Sequence, residues 1–460
     1  MKRISIKLGK EMVEVNLPNN TEILSTEQPK PLSNPAFFIQ KALIDSISSL
    51  SLDQIIEQKL KKNPEAKVVV VISDNTRPVP YKGKAGILWP IIEKLLAKNI
   101  SNDRILILVA TGTHRPLSEK ELREMLDPRV FDYKIPIKNH NCRDKNNLAY
   151  LGKTSRGSSV YINRDYIEAD IKILTGLVET HFMAGASGGR KSICPGLIGE
   201  ESIYIFHGAP MLASPKASDL IINDNPCHQE ALEVAKNAGA DYILNVTLDQ
   251  DFKLTGVFAG DLEEAHEQAV KQIIKYVTIP LDKEYDIVVT HAGFVGINQY
   301  QTAKAAVVAI PALRPNGKLI MIANNNDKDL IGSEKYKAVL HLLKIIGAKQ
   351  FNHLILSPDW TFIPDQWQAQ MWCRLFDKIP QDNFIYYSPR LSFNNYKIIP
   401  GVDGNIFLPR SERYRGNFKN AAQVIEKAVE AAICELKSAG QEKIRIAYLA
   451  DGPYGVPIKS

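Results

Sequence analysis

Cysteine is scarce in this chain. Cys142, Cys194, Cys227, Cys373 and Cys434 are odd in number, far apart and never form a C-x-x-C pair. That excludes a disulfide scaffold and a cysteine-based zinc site, and it fits a reducing, cytoplasmic setting. Runs of about 18 apolar residues are also missing, so no segment is expected to span a membrane. The first residues alternate apolar and polar around Gly9-Lys10 and read as a hairpin without the apolar core of a signal peptide. Blocks of one charge sign are absent too: the net charge is +6, with basic residues scattered. This disfavours a nucleic-acid footprint and leaves small anions as the expected ligands.

What is present is an ordinary globular composition, 45% hydrophobic and 23% charged, over 460 residues. A chain of that length exceeds one core, so two domains are expected. Asn34-Pro35 opens a helix to about Ser46, and another covers Leu52 to Lys61. Val68 to Ser73 and Ile105 to Ala110 are continuous apolar strands with a helix, Pro90 to Lys98, between them. This β-α-β order predicts a mostly parallel sheet covered by helices. A hairpin about Arg156-Gly157, strands Ile171 to Leu177 and Tyr242 to Leu248, and a helix from Asn225-Pro226 to Ala238 follow. Tyr276 to Tyr285 reads as a linker, after which strand Asp286 to Thr290, a helix from about Gln301 and strand Lys318 to Ala323 start a second α/β unit. The expected domains are therefore 1–280 and 281–460, with the last strand free to return to the first domain and the active site in the cleft between the two.

The segment His181 to Gly196 is the most informative stretch. It joins a proton-transfer residue, the glycine turn Ser187-Gly188-Gly189, Arg190, Lys191 and a Pro195-Gly196 stop. The nearest generic pattern is the P-loop, but Arg190 stands where that motif needs glycine and Pro195 limits the following helix. In place of a triphosphatase, the pattern suggests backbone N–H groups converging on an anion, with the Arg190 fork added. A plain tight turn would explain the same glycines.

Asp74-Asn75-Thr76-Arg77-Pro78 and Gly112-Thr113-His114-Arg115 each follow the carboxyl end of a strand, where ligands bind in open α/β sheets. Ser118 to Glu121 is a capping box just beyond His114. Arg77 invites a carboxylate, although a structural pair with Asp74 would account for both residues. Of nine histidines, His114, His181 and His207 occupy loop or helix-end positions. His207 could be a helix terminus cap or a metal ligand. Tyr300, Gln301 and Lys304 share one helical face, a pattern that a solvated helix end also produces.

Taken together, these motifs resemble the nickel-dependent lactate racemase family of 2-hydroxy acid racemases and epimerases. The shared residues are Asp74, Thr76, Arg77 and Pro78; Gly112 to Arg115; H-x5-S-G-G-R-K-S-I-x-P-G from His181; His207; Tyr300-Gln301-x-x-Lys304; and Trp367. The resemblance implies a nickel-pincer nucleotide, a pyridinium-3-thioamide-5-thiocarboxylate mononucleotide attached to Lys191, with His207 as the protein ligand to nickel. It implies His114 and His181 as alternating acid and base for hydride-transfer racemisation of a 2-hydroxy acid anion. Arg77, Lys304, Tyr300 and Gln301 would bind substrate. Asp74, Ser187, Gly188, Gly189, Arg190 and Trp367 would surround the cofactor, with Asp74 orienting Arg77 or the ribose. Maturation partners are implied as well: a carboxylase/hydrolase, a sulfur transferase and a nickel insertase. The chain departs from the family pattern at Asn75, where histidine is expected, and in Val178-Glu179-Thr180 before His181. These changes bear on the identity of the hydroxy acid. Two other readings compete: a zinc hydrolase using His181 and His207, and a non-catalytic hydroxy-acid-binding protein.

Overall fold

Unbroken apolar strands are stable where helices cover both faces of a parallel sheet, and the apolar runs at Val68–Ser73, Ile105–Ala110 and Ile171–Leu177 are buried in this way. The computed structural model describes residues 1–459. They divide into two compact units, residues 28–276 and residues 1–27 together with 277–459. Among the described residues no helix is long and apolar enough to cross a membrane.

The unit of residues 28–276 is built on a six-stranded sheet. Its strands run in the order Leu254–Gly260, Tyr242–Leu248, Ile171–Leu177, Val68–Ser73, Ile105–Ala110, Ile137–Asn139. All neighbours are parallel except the antiparallel edge strand Leu254–Gly260. Local signals start its helices where expected. Asn34 accepts from the Phe37 amide at the start of Pro35–Ile44, Ser51 and Gln54 form a capping box before Leu52–Lys62, and Asn225 caps Pro226–Ala238. The helix expected from Pro90 begins earlier, at Leu88, because proline is tolerated in a first turn, where its missing N–H has no intrahelical partner to lose.

The other unit holds a second six-stranded sheet, all parallel, in the order Val402–Asp403, Phe384–Tyr387, Leu313–Ile322, Tyr285–His291, Ile446–Leu449, Thr21–Leu24. Here the expected domain limits need correction. Thr21–Leu24 pairs with Ile446–Leu449, so residues 1–27 group with the carboxyl-terminal half of the chain and not with the first domain. The hairpin Lys2–Leu8/Glu11–Leu17 buries alternate residues, Ile6, Leu8, Val15 and Leu17 among them, in one apolar cluster with Val424, Ile425 and Ala428 of helix Asn420–Ser438. The supposed linker contains a strand, Thr278–Leu281, paired with the last one, Val456–Lys459. That terminal strand therefore stays within the second unit.

Removal of residues 1–27 is expected to expose an unpaired edge along Ile446–Leu449 and strip one wall from the second core. Calorimetry should show a lowered transition for residues 277–460 and an unshifted one for 28–276. Equal shifts of both would contradict this division.

Candidate functional site

Three adjacent parallel strands, Ile171–Leu177, Val68–Ser73 and Ile105–Ala110, deliver their following loops side by side at one edge of the sheet. Asp74 is buried there, with Oδ2 2.6 Å from His114 Nδ1. Its Oδ1 accepts from the Thr76 amide at 3.1 Å and the Thr76 hydroxyl at 2.5 Å. Burial pushes the Asp74 carboxyl up, but the bond and charge of His114, the Thr76 hydroxyl and Arg77 more than offset this and hold it below its ordinary value. The Asp74 carboxylate thus contacts His114, a partner the sequence reading did not name. Arg77 instead pairs with Glu179 at 3.4 Å, a partner unmarked in the sequence because it lies on the next loop. Asn75 donates to Glu121 at 3.1 Å, and the same carboxylate takes the Arg115 fork and caps the helix after Ser118.

His181 sits in a small hairpin, paired opposite Gly185. Its Nδ1 accepts from the amides of Met183 and Ala184, each at 3.2 Å. The glycine turn that follows is packed and closed. Ser187 Oγ donates to the Leu177 carbonyl and accepts from the Glu179 amide. Gly189 N donates to Asn245 Oδ1 at 2.8 Å. Both glycines have positive φ, and an added Cβ would lie 2.7 Å from Val178 at Gly188 and 2.8 Å from His266 at Gly189. Arg190 is 1% exposed and donates to the carbonyls of Ala184 and Gly188 and to His266 Nε2. Its fork therefore braces the turn from inside the protein and is not offered to an anion, as the sequence had suggested. The bracing partners Asn245 and His266 carry no motif that could have announced them.

Lys191 follows directly and is partly exposed. Its Nζ lies 5.2 Å from the centre of the Phe206 ring. Burial, then the neighbouring charges of Arg190 and Arg77, push its ammonium down to about 7, so a large neutral fraction exists at physiological pH. His207 terminates helix Glu200–Phe206, its amide bonded to the Ile203 carbonyl at 2.9 Å. Burial first, then Lys191 and His114, lower its imidazole to about 3. The ring is thus neutral and can act as a ligand. These electrostatic couplings bring Lys191, His207, His114 and Arg77 into one neighbourhood.

In the second unit, Tyr300, Gln301 and Lys304 lie on helix Gln299–Ala309, which Asn298 caps through the Gln301 amide. Trp367 is buried, donates from Nε1 to the Tyr300 hydroxyl at 2.6 Å and stacks on Phe362. His140 and His291 are bound by backbone partners, Ile198 O for the first and Ala450 O and Gly293 N for the second, and serve structure. Among the described residues no group of three or more His, Cys, Asp or Glu side chains could hold a metal ion.

The profile of the lactate racemase N-terminal domain matches residues 8–219, and that of the lactate racemase C-terminal domain matches residues 281–388. A lactate racemase of Lactiplantibacillus plantarum is 32% identical over 376 residues, covering 79% of this chain and 86% of the relative. One from Thermoanaerobacterium thermosaccharolyticum is 30% identical over 381 residues, covering 82% and 86%. The lactate racemase apoprotein structure from the latter organism superposes with a TM-score of 0.82 at 25% identity, over 99% of this chain and 100% of that one. A Thermotoga maritima protein shares the fold alone, with a TM-score of 0.59 at 14% identity over 90% and 100%.

A lysine lowered from 10.5 to about 7 opposes folding while it is charged. The penalty is complete below about pH 7 and fades as the pH rises toward 10.5. Lys191→Met is therefore expected to raise the Tm of the cofactor-free protein most at about pH 6 and progressively less from about pH 7 to 10. A gain independent of pH would contradict the charged-site account.

Proposed function

The chain belongs to the lactate racemase family, and from that premise we propose that it inverts C2 of a 2-hydroxy acid by reversible hydride transfer, using a nickel-pincer nucleotide tethered to Lys191. The family makes it an isomerase. The observation that carries the mechanistic reading is the pairing of an amine lowered to about 7 with a neutral imidazole at His207, electrostatically coupled to each other and to His114.

The residues fit such a cofactor. A neutral Lys191 amine is the form able to make a thioamide link. His207 supplies the one protein nitrogen of an N₁S₂C ligand set, which suits square-planar nickel. The lack of a ready-made metal cluster among the described residues agrees with ligands arriving on the cofactor, and it disfavours the zinc hydrolase. When bound, the group would supply a centre that takes and returns hydride.

The chain's own side chains would do the rest. Arg77 is assigned to the carboxylate; the family resemblance assigns Lys304, Tyr300 and Gln301 to substrate and Trp367 to the cofactor surroundings. His114 and His181 attend the hydroxyl, whose proton must leave as C2 becomes planar. Lactate, the substrate in the relatives' names, is the first to test. Loading would require the carboxylase/hydrolase, sulfur transferase and nickel insertase. The five free thiols, four of them buried, support a reducing cytoplasm as the place of action.

Protein co-produced with the maturation enzymes is expected to carry nickel and a mass addition on Lys191, and Lys191→Ala to lose both. Single-enantiomer substrate deuterated at C2 should invert in ordinary water with its label retained. Full activity on an unmodified lysine, or washout of the label, would sink the reading.

A further inference from the structure

Resting on that reading, we infer that Asp365 is a positioning residue for the second unit's share of the machinery: its carboxylate sets the direction of a hydrogen-bond chain that holds Tyr300 and Trp367. Those two side chains are the ones the family resemblance gives to substrate and cofactor.

The polarity of the chain can be followed atom by atom. Trp367 Nε1 donates to the Tyr300 hydroxyl at 2.6 Å, and that hydroxyl is itself bonded to the Asp365 side chain. From the other side, the Tyr336 amide donates to Ser333 Oγ at 3.1 Å, and the Ser333 hydroxyl donates to Asp365 Oδ2 at 2.5 Å. An ionised carboxylate only accepts, so both hydroxyls turn their single protons toward Asp365. An indole N–H only donates, so the Tyr300 oxygen presents a lone pair to Trp367. Each hydroxyl thus accepts one bond and gives one, an arrangement in which neighbouring bonds polarise and strengthen one another.

The place of Asp365 suits that task better than it suits the backbone. The residue precedes helix Gln366–Lys378 at φ +72°, a conformation that favours glycine, and its side chain makes no capping bond to that helix. A residue kept at such an angle is held there by its surroundings. Gln366 closes the turn, its Oε1 accepting from Trp360 Nε1 at 2.8 Å and from the Ile363 amide at 2.7 Å. Two further helices reach the same carboxylate, Gln299–Ala309 through Tyr300 in its first turn and Glu334–Ile355 through its N-cap Ser333. Helix starts favour negative charge.

Tyr300 is otherwise fixed by its main chain and its ring. Its amide donates to the Ile331 carbonyl at 2.9 Å, its carbonyl accepts from Gln368, and its ring lies edge-on to Tyr336 with 4.9 Å between centres. The torsion left to settle is that of the hydroxyl, and Asp365 settles it. Burial first, then the charge of Asp365, raise the phenol above its ordinary value, so it keeps the proton it donates.

The full chain, cofactor-free and labelled with ¹⁵N in its four tryptophan indoles, tests the arrangement without calling on the chemistry. Trp367→Phe assigns the signal. In the parent, the Trp367 Nε1 proton is expected downfield of an unbonded indole and slow to exchange with water. Asp365→Asn, which keeps one acceptor oxygen, should move it part of the way upfield, and Asp365→Gly, which suits the backbone angle but accepts nothing, should move it further and quicken its exchange. The asparagine variant decides where the glycine variant fails to fold. Ser333→Ala removes a helix cap but leaves the Tyr300–Asp365 bond, so it should lower Tm without moving the signal. An unmoved signal in Asp365→Asn, or an equal shift in Ser333→Ala, overturns the inference. In the matured enzyme kcat/KM should fall in the order parent, Asn, Gly, reaching a loss of about 10- to 100-fold for Asp365→Gly, with nickel and the lysine adduct retained. Parent kinetics in a loaded Asp365→Gly enzyme overturn it as well. Protein lacking nickel and the lysine adduct would sink the wider functional reading and leave the indole signal to decide this one.

Discussion

A buried guanidinium fixes the segment that carries His181 and Lys191. Among the described residues Arg190 has no carboxylate at hydrogen-bonding distance; its bonds go to two main-chain carbonyls and an imidazole. Placing a cation away from water is costly, and removing its partners would be more so. The carbonyls of Ala184 and Gly188 are therefore held where they accept from its two terminal nitrogens, while Nε has no hydrogen-bond partner. This closes the turn, which leaves no room for side chains at Gly188 and Gly189 and sets the direction in which Lys191 leaves. His181 and Lys191 stand on either side of one rigid knot, and neither depends on an exposed flexible loop for its position.

The same cation shapes the field around the lysine. Arg190 and Arg77 both disfavour a charged Lys191, and Lys191 in turn disfavours a charged His207. The acidic groups at hand are committed, Asp74 to His114 and Glu179 to Arg77. The neighbourhood is rich in positive charge and neutral imidazoles, which suits an anionic ligand such as a nucleotide phosphate or a carboxylate. It also favours the neutral form of an amine at this position, unlike an ordinary surface lysine, which is nearly always protonated.

Much of the scaffold could be read locally. Strands Val68–Ser73, Ile105–Ala110 and Ile171–Leu177 are continuous apolar runs, and Asn34-Pro35, Ser118 to Glu121 and Asn225-Pro226 are start signals that act within a few residues. What escaped is non-local. No periodicity tells that Thr21–Leu24 will pair with a strand more than 400 residues later. An arginine beside a glycine turn looks the same whether it faces a ligand or the interior, and only packing against His266 decided that Arg190 faces inward. Asp74 had Arg77 or a ribose in prospect as its partner. The fold gave its carboxylate to the imidazole from the adjacent strand, because parallel register sets Ser73 beside Ala110 and so brings the two following loops together.

Asn75 departs from the family motif without disturbing the Asp74–His114 contact. Its side chain points away from Asp74, toward Glu121, whose carboxylate also receives the Arg115 fork and caps a helix. Arg115 first, then Ser118, hold that carboxyl well below the usual carboxylate range, so it remains an anion able to accept all of these bonds. The loops bearing Asp74 and His114 are consequently joined twice, by the inner Asp74–His114 bond and by this outer clamp. An amide in the clamp donates without titrating, whereas an imidazole in its place would add a charge that varies near neutrality. The substitution therefore alters how the two loops are tied at the surface and leaves the Asp74–His114 contact untouched.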